Sequence, residues 1–175
     1  MAYGSELYLG IVGEQPTIAV IQSLGLEYSP EDGLAEDTAL DAKLKKAHHD
    51  ALTEMGLIVI DPINIKRSDG RPPDAGYAYV QGLDGKVRQT CIWGLEIDYD
   101  PREMGHTKDD ILVGVSLVSR YFPVFLDWAS EHGGSGDTIS LTPDVVKNIE
   151  IARKHLSKVL PFIQNAPIVF RERHY

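Results

Sequence analysis

Cysteine is almost absent from this chain, which contains a single one, Cys91. One cysteine cannot form an internal disulfide, which favours a reducing compartment such as the cytoplasm. No uncharged apolar run reaches the roughly 18 residues of a membrane-spanning helix. The amino terminus also has no basic region ahead of an apolar one, as a secretory signal would. We therefore expect a cytoplasmic protein with no membrane segment.

Basic residues are also scarce, because 17 Lys and Arg stand against 26 Asp and Glu, a net charge of −9. Segment 138–175 carries six bases and three acids, so the remaining residues carry eleven bases and twenty-three acids. Direct nucleic-acid binding is not expected, since neutralising phosphates requires a basic surface. A basic protein partner, including one whose nucleic-acid site is blocked, fits this charge. The alternative, that the charge only confers solubility, stays open.

Complete motifs for common chemistries are missing as well. Gly10 and Gly13 precede a predicted helix, but no Gly-Lys-Ser/Thr or three-glycine fingerprint follows. No two histidines have the i, i+4 spacing of a helical zinc pair, and no Gly-x-Ser-x-Gly elbow occurs. His48 is predicted to border the apolar stripe of a helix, with His49 pointing outward. Catalytic residues that are scattered along the chain would not form a motif of this kind.

Three shorter segments carry helix signals. Residues 17–24 follow a turn at Pro16 and end before Gly25. Residues 38–55 carry a regular apolar stripe, with Thr38 as the predicted N-cap and Gly56 as the stop. The last helix begins at Thr142-Pro143-Asp144, which supplies a cap, a first-turn proline and a favourable charge.

The longest predicted element is a central helix from His106 to Gly134. Thr107 and Asp110 have the spacing of a capping box. The i, i+4, i+7 rhythm of a helix face is followed by Ile111, Val115, Val118, Phe122, Phe125 and Ala129. Other apolar residues widen this stripe, so the helix should be buried. Pro123 should kink it, because proline removes a backbone donor and clashes with the preceding turn.

Strands are predicted at 7–12, 57–60, 77–81, 86–99 and 168–170. Asp84-Gly85 is a hairpin signal between the third and fourth of them. The resulting fold class is α+β, with a mixed or antiparallel sheet packed against three main helices, including the central one. A chain of 175 residues should form a single globular domain, residues 1–175.

A strand with three alternating carboxylates is the strongest candidate for a metal site. Side chains alternate along a strand, so Glu96, Asp98 and Asp100 should point to one face. Three carboxylates are hard oxygen ligands that suit Mg²⁺ or Mn²⁺, and such a metal could activate water for hydrolysis. The alternative is an amphipathic strand whose acidic face is solvated.

An acidic segment is the candidate for partner binding. Residues 27–41 carry six acids and no base. The predicted contact residues are Glu27, Tyr28, Glu31, Asp32, Glu36 and Asp37. Docking onto a basic surface is one interpretation, and a plain solvated loop is the other. The carboxy-terminal residues 170–175 are basic and aromatic, types that are enriched at interfaces.

Three functions follow from these patterns. The leading one is an acidic interaction module without a cofactor, which binds a basic protein partner and inhibits it. The second is a hydrolase dependent on Mg²⁺ or Mn²⁺. The third is a structural subunit of a homo-oligomer. The lack of a catalytic set favours the first over an enzyme.

Overall fold

A computed structural model gives the fold and describes residues 3–29, 31–66, 68–72, 76–82, 85, 87–98, 108–118 and 141–174. The α-helices of this part are α1 (Glu14–Ser23), α2 (Thr38–Glu54) and α3 (Pro143–Ser157). Its strands are β1 (Tyr3–Val12), β2 (Tyr28–Ser29), β3 (Gly33–Leu34), β4 (Ile58–Ile60), β5 (Tyr77–Gln81), β6 (Val87–Cys91), β7 (Glu96–Asp98), β8 (Leu112–Val118) and β9 (Ile168–His174). The predicted α+β class is confirmed, and the strand pairs among the described residues are all antiparallel. No helix of the described residues is long and apolar enough to cross a membrane.

The helix starts follow local capping chemistry. The Asp37 carboxylate accepts a hydrogen bond from the backbone N–H of Leu40 at 2.9 Å, so Asp37 caps α2 and Thr38 is its first helical residue. The prediction of Thr38 as the cap is therefore wrong by one position. At α3 the cap is Thr142, as predicted, with its hydroxyl 3.3 Å from the N–H of Val145.

The larger sheet has the strand order β7-β8-β1-β9. Its centre is the β1–β8 pair, in which Gly10 lies directly opposite Gly114. A Cβ atom on Gly114 would lie 2.4 Å from the carbonyl oxygen of Leu9 and 2.7 Å from the Cα of Gly10. The two strands therefore approach each other more closely than any side chain at position 114 would allow.

The predicted central helix is wrong over Leu112–Val118, because these residues form β8. Lys108–Asp110 form a short 3-10 helix before it. The apolar run is buried because β8 is a central strand, with Leu112, Val113 and Val115 each fully buried. A strand covered on both faces has an apolar sequence without alternation, which a helix stripe resembles. Pro123 and the rest of the predicted helix after 118 lie outside the described residues.

The smaller sheet has the order β4-β5-β6 and contains the predicted hairpin. Gln81 pairs with Val87, and the N–H of Gly85 donates to the carbonyl of Gly82 at 3.0 Å. Gly85 has a φ of +78°, which suits glycine, while Asp84 lies outside the described residues. The predicted strand 86–99 is divided, since β6 belongs to this sheet and β7 to the larger one.

The core lies between the larger sheet and the pair α2 and α3. Its fully buried side chains come from both layers and include Leu7, Leu9, Val115, Leu117, Leu44, Leu52, Ile149 and Leu156. Val80 of the smaller sheet and Trp93, after β6, join the same cluster. The core therefore connects both sheets to the two long helices.

Candidate functional site

The acidic segment folds as a hairpin, which we call the acidic hairpin and define as residues 27–29 and 31–37. Tyr28 pairs with Leu34, and Ser29 with Gly33. The N–H of Ala35 donates to the carbonyl of Glu27 at 2.8 Å, and the Ser29 hydroxyl accepts from the N–H of Asp32 at 3.0 Å. One backbone bond and one bond to a side chain therefore connect the two sides of the hairpin.

Four carboxylates of the acidic hairpin face solvent: Glu27, Glu31, Asp32 and Glu36. Within the described part of the chain, no ion pair engages any of them. Tyr28 is half-buried, and the Asp37 carboxylate serves as the N-cap of α2. The hairpin thus presents negative charge that no ion pair with another described residue neutralises.

The fold brings the acidic hairpin next to the predicted carboxylate strand. Strand β3 contacts β7, although about 60 residues separate them in the sequence. Glu96, the first residue of β7, is exposed, whereas Asp98 is not. The acidic hairpin and the strand of the predicted carboxylate site therefore lie next to each other at this edge of the larger sheet.

Asp98 forms a nearly buried ion pair with Arg171 of β9. Its Oδ2 atom lies 3.7 Å from the Arg171 Nε atom, and the two side chains are only 10% and 13% exposed. Arg171 also donates to the backbone carbonyl of Asp110. Strands β7 and β9 lie at the two edges of the larger sheet, so the Asp98–Arg171 ion pair joins those edges.

The guanidinium of Arg171 supplies the positive charge that a metal ion would otherwise bring to Asp98. Among the described residues, no three His, Cys, Asp or Glu side chains come together in a way that could hold a metal. Asp100 lies outside those residues. The three-carboxylate metal site therefore stays a prediction.

Sequence reasoning missed two polar residues on the same face as Arg171. Glu6 lies opposite Arg171 in the β1–β9 pair, and opposite residues of antiparallel strands share a face. The hydroxyl of the fully buried Tyr8 donates to the Glu6 carboxylate. The period-two alternation of Glu6 and Tyr8 was the available signal, but the predicted strand began at Leu7 and left Glu6 out.

His48 is buried more deeply than the helix pattern predicted. Its side chain is 1% exposed, and its ring centroid lies 4.9 Å from that of Trp93. Burial, and secondarily repulsion from His49, lowers the pKa of His48 from 6.5 to about 3. His49 is exposed, as predicted. His48 is therefore a neutral core residue at neutral pH.

No protein-family model, characterised protein or solved structure matches this chain. Function has to be inferred from the residues themselves.

Proposed function

We propose that the protein is a non-enzymatic interaction module that binds a basic protein partner through the acidic hairpin. The observation that carries this proposal is the set of four exposed carboxylates on the hairpin, none of which forms an ion pair with another described residue. Carboxylates already paired within the protein would have little left to offer a partner. Unpaired ones attract a basic surface and steer its approach.

The hydrogen bonds within the hairpin favour binding over simple solvation. Ordering a loop on association costs free energy, and backbone bonds made beforehand reduce that cost. The Ala35–Glu27 and Asp32–Ser29 hydrogen bonds already hold the turn. The N-cap at Asp37 connects it directly to α2.

The chemistry of the surface indicates the kind of partner. Strand β7, which contacts the hairpin, carries the exposed Glu96, and Tyr28 adds an aromatic side chain. Clustered carboxylates suit lysine and arginine side chains, and tyrosine is enriched among residues that dominate binding energy. We propose that inhibition follows when the bound basic surface is the partner's own nucleic-acid site.

A charge-matched comparison tests the proposal with a lysine-rich peptide as the probe. One triple variant carries Glu27→Gln, Glu31→Gln and Glu36→Gln. The control carries Asp61→Asn, Asp109→Asn and Asp144→Asn, three exposed carboxylates elsewhere. Both variants remove three negative charges. Affinity is measured calorimetrically at about 50 and about 200 mM salt, since screening weakens exposed charge pairs.

We expect the hairpin variant to bind the peptide about tenfold more weakly than the wild type at low salt, equivalent to about 1.4 kcal/mol. Its affinity should also depend less on salt. The control variant should stay within about twofold of the wild type, because rim charges outside a contact have small effects. Equal losses in the two variants would mean that only the overall charge attracts the peptide, and the proposal would be wrong.

A further inference from the structure

The solvent-facing side of α2 carries a group of lysines. Lys43 and Lys45 are both exposed, and no described residue forms an ion pair with either of them. Lys46 is also exposed, and its ammonium group lies 2.6 Å from the Asp50 carboxylate. We call the side of the helix that carries Lys43, Lys45 and Lys46 the lysine face. In a chain whose net charge is −9, this face is a local basic surface.

The lysine face is open to solvent between its charges. Because a helix turns by about 100° per residue, Ala39 and Ala42 lie between Lys43 and Lys45 on the outer side of α2. Both alanines are exposed, whereas Leu44 points to the core and is fully buried. Alanine side chains are too short to hold another surface away from the helix. The lysine face is therefore a helix face that no described element covers.

The same chain carries a surface of opposite charge next to this helix. The acidic hairpin ends at Asp37, the cap of α2, and no described residue forms an ion pair with its four exposed carboxylates. With a rise of 1.5 Å per residue, Lys43 and Lys45 lie about 9 and about 12 Å along the helix from that cap. Each copy of the chain therefore presents an acidic surface before α2 and a basic surface on it.

We propose that two copies of this chain associate through these surfaces, with the acidic hairpin of each copy on the lysine face of the other. A two-fold axis makes both contacts at once, because each surface of one copy meets the complementary surface of the other. Two α2 helices that cross in opposite directions place each hairpin beside the other copy's lysines. Salt screens the repulsion between the two net charges over about 10 Å at about 0.1 M, whereas the paired charges are in contact.

This pairing gives the acidic hairpin a second occupant besides the basic partner proposed above. A bound second copy covers the carboxylates, so a basic partner has to displace it and binds more weakly as the protein concentration rises. The inference concerns the same hairpin but does not depend on that partner. Lys43 and Lys45 lie outside the hairpin, so their replacement removes the self-association and leaves the carboxylates in place.

Charge reversal in the full chain tests the pairing by sedimentation equilibrium at about 100 mM salt. One variant carries Glu31→Lys and Glu36→Lys, and the other carries Lys43→Glu and Lys45→Glu. Each variant alone places like charges opposite each other in both contacts of its own dimer. An equimolar mixture of the two variants restores opposite charges in both contacts.

We expect the wild type to dimerise and each reversed variant to do so at least about tenfold more weakly. The mixture should form a heterodimer with an affinity close to that of the wild type. Raising the salt to about 500 mM should weaken the wild-type dimer. A wild type that stays monomeric at about 1 mM protein would overturn the proposal. Reversed variants that dimerise as well as the wild type, or a mixture that does not associate, would also overturn it.

A neutral comparison covers the case in which a reversed variant does not fold. Lys43→Gln with Lys45→Gln is measured beside Lys147→Gln with Lys158→Gln, which removes two exposed lysines from α3 and its C-cap. Both double variants lose two positive charges. The first should dimerise more weakly than the second. Equal losses would mean that only the net charge matters, and the proposal would be wrong.

The lysine-rich peptide distinguishes this inference from the proposed function. A wild type that binds the peptide at the hairpin but does not dimerise contradicts the self-association alone. A wild type that dimerises, with a variant carrying Lys43→Gln and Lys45→Gln that does not bind the peptide, contradicts the basic partner alone.

Discussion

Replacing Gly114 by alanine should destabilise the protein. The same substitution would stabilise a helix, so a fall or a rise in stability distinguishes a strand from a helix at this position. The added Cβ would lie 2.4 Å from the Leu9 carbonyl oxygen and 2.7 Å from the Cα of Gly10. Both neighbours are backbone atoms of β1, so no side chain can rotate away. The strands would have to separate by several tenths of an ångström in the centre of the sheet.

The expected loss of stability follows from the position of the Gly10–Gly114 pair in the centre of the sheet. Overpacking a well-packed interior costs about 1–3 kcal/mol, and the clash here is at the upper end because only backbone can move. A loss of about 3 kcal/mol corresponds to a fall in melting temperature of roughly 6–12 °C for a domain of this size. If residues 112–118 were instead helical, alanine for glycine would stabilise the helix by about 1 kcal/mol.

Gly94→Ala is the matched control. No atom lies within 4 Å of a Cβ built on Gly94, and its backbone does not have a positive φ. Its substitution should be neutral or stabilise by up to about 1 kcal/mol, by restricting the unfolded chain. Urea unfolding followed by circular dichroism measures both variants. A Gly114→Ala protein as stable as Gly94→Ala would refute the close approach of β1 and β8.

Two further substitutions test the supports of the candidate site. Asp98→Asn should cost about 3 kcal/mol, because it removes the carboxylate charge that pairs with the nearly buried Arg171. Urea unfolding then measures the stability of the double variant Asp98→Asn with Arg171→Met. Its loss of stability should be at least about 1 kcal/mol smaller than the sum of the losses in the two single variants. A loss equal to that sum would contradict the ion pair. Asp37→Ala should cost about 1 kcal/mol through loss of the α2 cap, whereas Glu36→Ala, exposed and one residue earlier, should stay within about 0.5 kcal/mol. Equal thermal melts for these last two variants would argue against the cap.

Helices α2 and α3 and the β5–β6 hairpin could be predicted from the sequence because their signals are local. Helix α2 has an apolar stripe and a glycine stop, and α3 has a threonine cap followed by proline. The β5–β6 hairpin follows from turn residues between two strand-forming runs. Each of these signals depends only on residues within a few positions, so no knowledge of tertiary contacts was required.

Strand β8 shows where local signals fail. A central strand buried on both faces contains apolar residues at every position, and such a run fits a helix stripe as well as a strand. The sequence did contain two opposing signals, the β-branched residues Val113, Val115 and Val118 and the glycine at 114. Glycine within a strand indicates a close backbone approach, as observed with Gly10. These signals outweigh the helical rhythm once the partner strand is known.

The sequence predicts the separate acidic segments but not their arrangement in the fold. The charge of the hairpin is visible in the sequence, but its proximity to Glu96 depends on the contact of β3 with β7. The ion pair of Asp98 with Arg171 joins residues more than 70 positions apart, and no spacing rule links them. Both arrangements result from how strands from distant parts of the chain assemble into the larger sheet.

The close approach of β1 and β8 has a consequence for the acidic surface. Gly114 lies opposite Gly10 on one side and opposite Glu96 on the other. Any side chain at position 114 would displace β8 from β1. Strand β7 would be displaced as well, because Glu96 of β7 pairs with Gly114 itself. Glu96 would then move relative to the acidic hairpin, which contacts β7 through β3. We therefore expect Gly114→Ala to weaken peptide binding even under conditions in which the protein remains folded.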